Sequence, residues 1–130
     1  MKDCIFCKIA SGIIPCQKIT ENNDFLAFLD NQPFTEGHTL IIPKIHYRWV
    51  YDIPNFDQYW SFILQVTQQI QKTLNPLFIS YLTMGNQVPH AHVHLLPRYK
   101  DDCLVGLFAE NLRSNPNDTQ LQLIADKINQ

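Results

Sequence analysis

The chain has 130 residues, of which 45% are apolar and 17% charged, and its formal net charge is −2. The apolar fraction supports a real core, the low charged fraction argues against disorder, and the length suits one domain over 1–130. With no basic block the chain lacks the electrostatic footprint of a duplex-binding protein, so no nucleic acid polymer is expected as a partner.

Residues 4–10 are a short apolar segment, predicted as one or two helical turns ended by Ser11-Gly12. Residues 17–20 and 25–29 read as two strands. Between them lies Glu21-Asn22-Asn23-Asp24, where Asn and Asp tolerate turn geometry. A loop is expected over 31–37, then a third strand over 38–43, β-branched and closed by proline. The clearest element is a helix over 55–74. Phe56, Tyr59, Trp60, Ile63, Val66, Ile70 and Leu74 recur mostly at three- and four-residue steps and make one apolar face. Pro54 suits its first turn and Asn75-Pro76 stops it. Residues 77–84 and 88–96 read as the fourth and fifth strands. Asn117 or Asp118 caps a final helix, with Leu121, Ile124, Ala125 and Ile128 on its inner face.

The order helix, three strands, long helix, two strands, tail favours an α+β domain. Its antiparallel sheet would have about five strands, with the long helix on one face and short terminal helices. The N-terminus lacks the long apolar core and small-residue cleavage pattern of a signal peptide, and no apolar run approaches the roughly 20 residues of a membrane span. A cytoplasmic protein with no membrane association is therefore expected. Cys4, Cys7, Cys16 and Cys103 then read as thiols or metal ligands rather than disulfides. Cys16 and Cys103 have no evident partners and read as packing residues.

The strongest pattern is Val88-Pro89-His90-Ala91-His92-Val93-His94-Leu95-Leu96. Successive side chains of a strand point to opposite faces. His90, His92 and His94 would share one face, with Pro89, Ala91, Val93 and Leu95 on the apolar other. Three explanations are open. The first is chance placement on a solvated face. The second is one metal held by all three rings. Strand neighbours on one face stand about 6.7 Å apart and the outer pair about 13 Å, which is far from metal–nitrogen bonds of about 2.0–2.1 Å. The third is a division of tasks along a phosphate-bearing ligand, because imidazole serves near neutral pH as nucleophile, acid, base or donor.

The run from His90 to Leu96 resembles the signature of the histidine-triad (HIT) family. Further segments are similar to family segments in the family's order: Cys4-Ile5-Phe6-Cys7-Lys8-Ile9, Ile14-Pro15, Phe25-Leu26-Ala27-Phe28-Leu29-Asp30, and Gly37-His38-Thr39-Leu40-Ile41-Ile42-Pro43-Lys44. The likeness covers about 3–98 and leaves 99–130 as a tail with its helix. It implies a HIT-like fold, a homodimer, and cleavage at the α-phosphorus of a purine nucleotide, either a nucleoside phosphoramidate or a dinucleoside polyphosphate. The bound nucleotide would be AMP- or GMP-like, and no organic cofactor is implied.

By this resemblance His92 is the nucleophile, oriented by the backbone carbonyl of His90. His94 contacts the phosphate or the leaving group. His38 sits beside the triad, either with a direct catalytic part or as a buried histidine bonded to the backbone. Asp30 and Asn31 fall where the family binds the ribose hydroxyls, although Asp30 also reads as a strand-ending turn residue. Ile5, Phe6, Ile9 and Leu29 match the apolar wall of the base pocket, and each also reads as core. Gly85, Asn86, Gln87 and Val88 form the phosphate-binding approach. Here the sequence departs from the common pattern, since many members carry Gln then Ser or Thr where Asn86 and Gln87 stand, and the hydroxyl is missing. Some members also bind structural zinc, and the matching ligands are Cys4, Cys7, His46 and His90. Without metal the two cysteines read as small buried hydrophobes. A nucleotide-binding regulator with little turnover, or a metalloprotein using the histidine strand, are the alternative functions.

Overall fold

A computed structural model describes residues 3–104 and 113–130. Positions 1–2 and 105–112, the latter inside the expected tail, lie outside the described residues. The elements in chain order are α1 (Ile5–Ala10), β1 (Lys18–Glu21), β2 (Phe25–Leu29), β3 (Thr39–Pro43), a 3-10 turn (Val50–Asp52), α2 (Phe56–Leu74), β4 (Phe78–Leu82), β5 (Val93–Arg98) and α3 (Asp118–Ile128). The five strands form one antiparallel sheet in the order β1-β2-β3-β5-β4. This is the expected α+β architecture.

Local chemistry accounts for the element ends. The Asn22 carboxamide accepts the Asp24 and Phe25 N–H groups at 2.9 and 2.8 Å and closes the β1–β2 turn. Asn75 ends α2 in the left-handed conformation (φ 51°), and its N–H donates to the Gln71 carbonyl. The α2 stripe packs on one sheet face. Tyr59, Phe62, Ile63, Val66 and Ile70 are buried against Phe25, Ala27, Ile41, Val93 and Leu95. The Tyr59 hydroxyl satisfies itself on the Ile41 carbonyl at 2.7 Å. On the opposite face α1 lays Cys4 and Phe6 over Leu26, Phe28, Leu40 and Ile42.

Several expectations need correction. The fifth strand begins at Val93, not at position 88. The His90 N–H donates to the Val88 carbonyl two residues back at 2.9 Å, and the Ala91 N–H goes to Tyr47 O at 2.7 Å. The chain therefore bends there instead of pairing. Pro89 is exposed rather than packed on the core, whereas Ala91, Val93 and Leu95 are buried as expected. The final helix forms with an Asn117 capping box, yet among the described residues nothing buries its expected inner face. Leu121, Ile124 and Ile128 are exposed and none of its residues is buried. Cys103 is exposed, so it is not a packing residue, while Cys16 is partly buried against the α1 layer. Among the described residues no helix is long and apolar enough to cross a membrane.

Candidate active site

The bend at 88–92 gives the three histidines different surroundings. His90 is fully buried. Its Nε2–H donates to the Pro43 carbonyl at 2.8 Å, which leaves the Nδ1 lone pair facing Cys4 Sγ at 3.2 Å and Cys7 Sγ at 3.5 Å. His46 Nδ1 lies 3.4 Å from the same Cys7 sulfur. The four donor atoms of Cys4, Cys7, His46 and His90 all fall within 4.8 Å of one another. Tetrahedral bonds of about 2.3 Å to sulfur and about 2.0 Å to nitrogen place ligand atoms roughly 3.3–3.8 Å apart. The spacings and the His90 tautomer both fit a bound metal, with Pro43 as the outer partner that fixes the ring. Burial and the neighbouring Cys4 push the Cys7 thiol up, and a metal cation would reverse that by taking the thiolate.

His92 is buried, and its Nδ1–H donates to the His90 carbonyl at 2.7 Å. A carbonyl only accepts, so in the neutral ring the lone pair resides on Nε2. Thr83 Oγ1 donates to the His92 carbonyl at 2.7 Å and holds the backbone from the other side. The Phe6 ring packs edge-on against His92, centroids 5.1 Å apart. Burial is the main reason that the His92 imidazolium is disfavoured. The Arg48 charge adds to this, while the His90 carbonyl and Asp30 oppose it.

His38 and His94 face each other across β3 and β5, where Leu40 pairs with His94. The Phe34 N–H donates to His38 Nδ1 at 3.2 Å, which leaves the His38 proton on Nε2. That Nε2 lies 2.9 Å from His94 Nδ1 and 3.6 Å from Asp30 Oδ2. His94 thus accepts on Nδ1 and carries its own proton on Nε2. Burial, with His92 and His38 beside it, pushes His94 down to about 4. Burial lowers His38 as well, against the pull of Asp30. Asp30, His38 and His94 bring three donor atoms within 4.8 Å. However, the Phe34 N–H keeps the proton on the nitrogen a metal would need. His90 has both ring nitrogens engaged, so the three triad rings do not share one ion.

Two cavities flank these rings. One of about 230 Å³ is lined by His38, His92, His94, Gly85, Asn86 and Gln87, together with Phe34, Leu82, Met84 and Leu96. The other, of about 270 Å³, is lined by Ile5, Phe6, Ile9, Leu29 and Asn31 with Phe28, Leu40, Cys16 and Gln17 among others. Phe6 belongs to the second and touches His92 at the edge of the first. Asp30 and Val88 line neither cavity. Asp30 instead accepts the Gln32 N–H at 2.9 Å and faces His38, and Val88 packs in the α1 layer. Residues not anticipated here are Phe28, Leu40, Cys16, Phe34, Thr83 and Arg48. Alternation in β2 and β3 gives Phe28 and Leu40 the parity of the α1 face, a signal available from sequence. Thr83 and Arg48 act through backbone carbonyls and leave no pattern in the sequence.

A model of the HIT domain matches residues 11–101. The chain belongs to the HIT family. It is 39% identical over 110 residues to adenosine 5′-monophosphoramidase HNT1 of Saccharomyces cerevisiae, covering 79% of this chain and 68% of that one. It is 36% identical over 118 residues to adenylylsulfatase HINT3 of Arabidopsis thaliana, covering 85% of this chain and 59% of that one. Among solved structures, SMU.412c of Streptococcus mutans superposes with a TM-score of 0.87 at 35% identity, over 99% of this chain and 85% of that one. The HIT fold expected from the sequence is the fold observed.

Proposed function

We propose that this HIT protein is a nucleotide hydrolase or nucleotidyl transferase. It acts at the α-phosphorus of a purine nucleoside phosphoramidate or dinucleoside polyphosphate, through a nucleotidyl-histidine at His92. The observation that carries this reading is the 2.7 Å bond from His92 Nδ1–H to the His90 carbonyl, which leaves the Nε2 lone pair of a ring that lines the triad cavity. Neutral imidazole is a competent nucleophile near neutral pH. Nε2 attacks phosphorus, and the bond to the leaving nitrogen or oxygen breaks with its electron pair on the departing group. The His94 Nε2–H hydrogen-bonds a phosphate oxygen or the leaving atom. Water then displaces Nε2 and releases the nucleoside monophosphate.

The base is assigned to the Phe6-lined cavity, with Ile5, Ile9 and Leu29 as its wall and Asn31 at the ribose end. Asp30 is also assigned to the ribose, although it lines neither cavity. The related yeast phosphoramidase and plant adenylylsulfatase are named for adenosine nucleotides, which supports that ligand class. Zinc is the metal proposed for Cys4, Cys7, His46 and His90. It would staple α1 to His90, whose carbonyl orients His92. A homodimer is proposed on the strength of exposed Phe78 and Tyr81 on the edge strand β4 and Leu64 on α2. A cytoplasmic setting agrees with four unpaired cysteines.

Mass spectrometry of the protein mixed with adenosine phosphoramidate, and separately with diadenosine tetraphosphate, tests the chemistry. An adenylyl adduct that His92→Ala abolishes is expected. A regulator with little turnover is the second reading, favoured because no Ser or Thr lines the triad cavity. AMP binding with neither adduct nor product would establish it instead.

A further inference from the structure

Segment 46–49, just after β3, holds two neighbouring stretches: His46 and Tyr47 reach the triad segment, and Arg48 and Trp49 reach Gly85 in the loop before it. His46 reaches the thiol of Cys7 beside His90, and Tyr47 O accepts the Ala91 N–H at 2.7 Å. Arg48 Nη1 donates to the Gly85 carbonyl at 2.7 Å. The Trp49 ring lies 3.0 Å from where a Gly85 Cβ would sit. The Arg48 guanidinium stacks 3.8 Å over that ring, which fixes its plane. Gly85, Asn86 and Gln87 line the triad cavity, whereas Arg48 and Trp49 do not. The clamp therefore holds the loop from behind. No Lys or Arg is among the residues lining the cavity.

We propose that Arg48 is a positioning residue for phosphate: by holding the Gly85 carbonyl outside the cavity, it presents the Asn86 N–H to an oxygen of the α-phosphate. This rests on the nucleotide reading of that cavity. The peptide is planar and trans, so its C=O and N–H point in opposite directions. Pinning the oxygen toward Arg48 turns the Asn86 N–H away from it, toward the side the cavity occupies. Among the described residues that N–H meets no acceptor. Gly85 has φ +67°, the left-handed conformation that glycine adopts without strain. A charged donor on the carbonyl also polarises the peptide and strengthens its N–H as a donor. The side-chain hydroxyl absent at Gln87 is thereby replaced by a backbone donor whose direction is set from behind.

Isothermal titration calorimetry with AMP and with adenosine separates this role from simple packing, because only AMP carries the phosphate. Arg48→Met keeps an apolar stem over Trp49 and removes the charged donor. It is expected to weaken AMP about tenfold, the scale of one hydrogen bond to a charged group, and to leave adenosine unchanged. Arg48→Lys keeps a cation without the planar fork and should recover part of the loss. If Arg48→Met does not fold, Arg48→Lys alone decides, with selective weakening of AMP expected. Equal weakening of both compounds, or no change in either, overturns the proposal. Wild-type protein that binds neither compound overturns the nucleotide reading together with this inference. Wild-type binding of AMP with unaltered Arg48 variants overturns this inference alone.

Discussion

Gly85→Ala puts the geometry of the loop before the triad to a quantitative test. Gly85 has φ +67°, and a Cβ added there would stand 3.0 Å from Trp49 Cζ3, 3.2 Å from Cε3 and 3.4 Å from Arg48 Nη1. Two costs follow. An L side chain in the left-handed region costs about 1–2 kcal/mol. The Trp49 ring cannot retreat freely, because Arg48 stacks on one of its faces and Tyr51 on the same ring at 5.9 Å. Forcing a methyl against it adds about 1 kcal/mol, the low end for overpacking. The expected destabilisation is therefore about 2–3 kcal/mol in urea denaturation, with AMP affinity falling as the loop shifts. The two costs separate in a double-mutant cycle. In a Trp49→Ala background the ring is gone, so Gly85→Ala should cost only the backbone part, about 1–2 kcal/mol, with a coupling near 1 kcal/mol. A penalty for Gly85→Ala below about 0.5 kcal/mol, the range of an ordinary surface substitution, refutes the left-handed turn. An identical penalty with and without Trp49 refutes the contact.

Two further expectations concern metal and pH. Purified protein should carry one zinc per chain by elemental analysis. Cys7→Ser should lose it and fall in stability by about 3 kcal/mol in excess zinc, the linkage expected at roughly a hundred times Kd. Equal melting of the variant and the wild type, with and without zinc, would refute the site. For pH, burial holds His92 and His94 below the ordinary value of 6.5, His94 at about 4. The folded protein therefore binds fewer protons than the unfolded chain between 6.5 and about 4, so the unfolding free energy falls on acidification through that window. AMP release from adenosine phosphoramidate should stay level from pH 8 to about 6.5 and decline only below it, as the His92 lone pair is protonated. An acid limb centred above 6.5 would contradict burial as the controlling term.

Legibility from sequence followed the range of the forces involved. β2 and α2 were readable to within a residue because alternation and helical period report a local geometry. The start of the fifth strand is not legible, since alternation persists through Ala91 and Val93 while hydrogen bonding does not. Whether a backbone N–H pairs with a neighbouring strand or with Tyr47 O depends on a segment more than forty residues away, and no local pattern records it. The apolar stripe of α3 was visible, yet a stripe states only that a face can be covered and not which surface covers it. Arg48 was invisible for the same reason as Thr83: each acts on a carbonyl, which every residue carries.

The bend at 88–92 also gives one short segment two kinds of surroundings. Burial lowers all three triad imidazoles, yet their ring nitrogens meet different partners. The turn that sends the His90 N–H to the Val88 carbonyl aims the His90 ring into the thiols, and its own carbonyl becomes the acceptor for His92. His90 thereby connects the cysteine cluster and His92 through covalent backbone, with no side chain between them. A metal held by Cys4, Cys7, His46 and His90 would act on His92 by fixing where one carbonyl points. Loss of that metal should weaken the tautomer control at His92 before it disturbs the cavity lined by Phe6 and Phe28 on the other side.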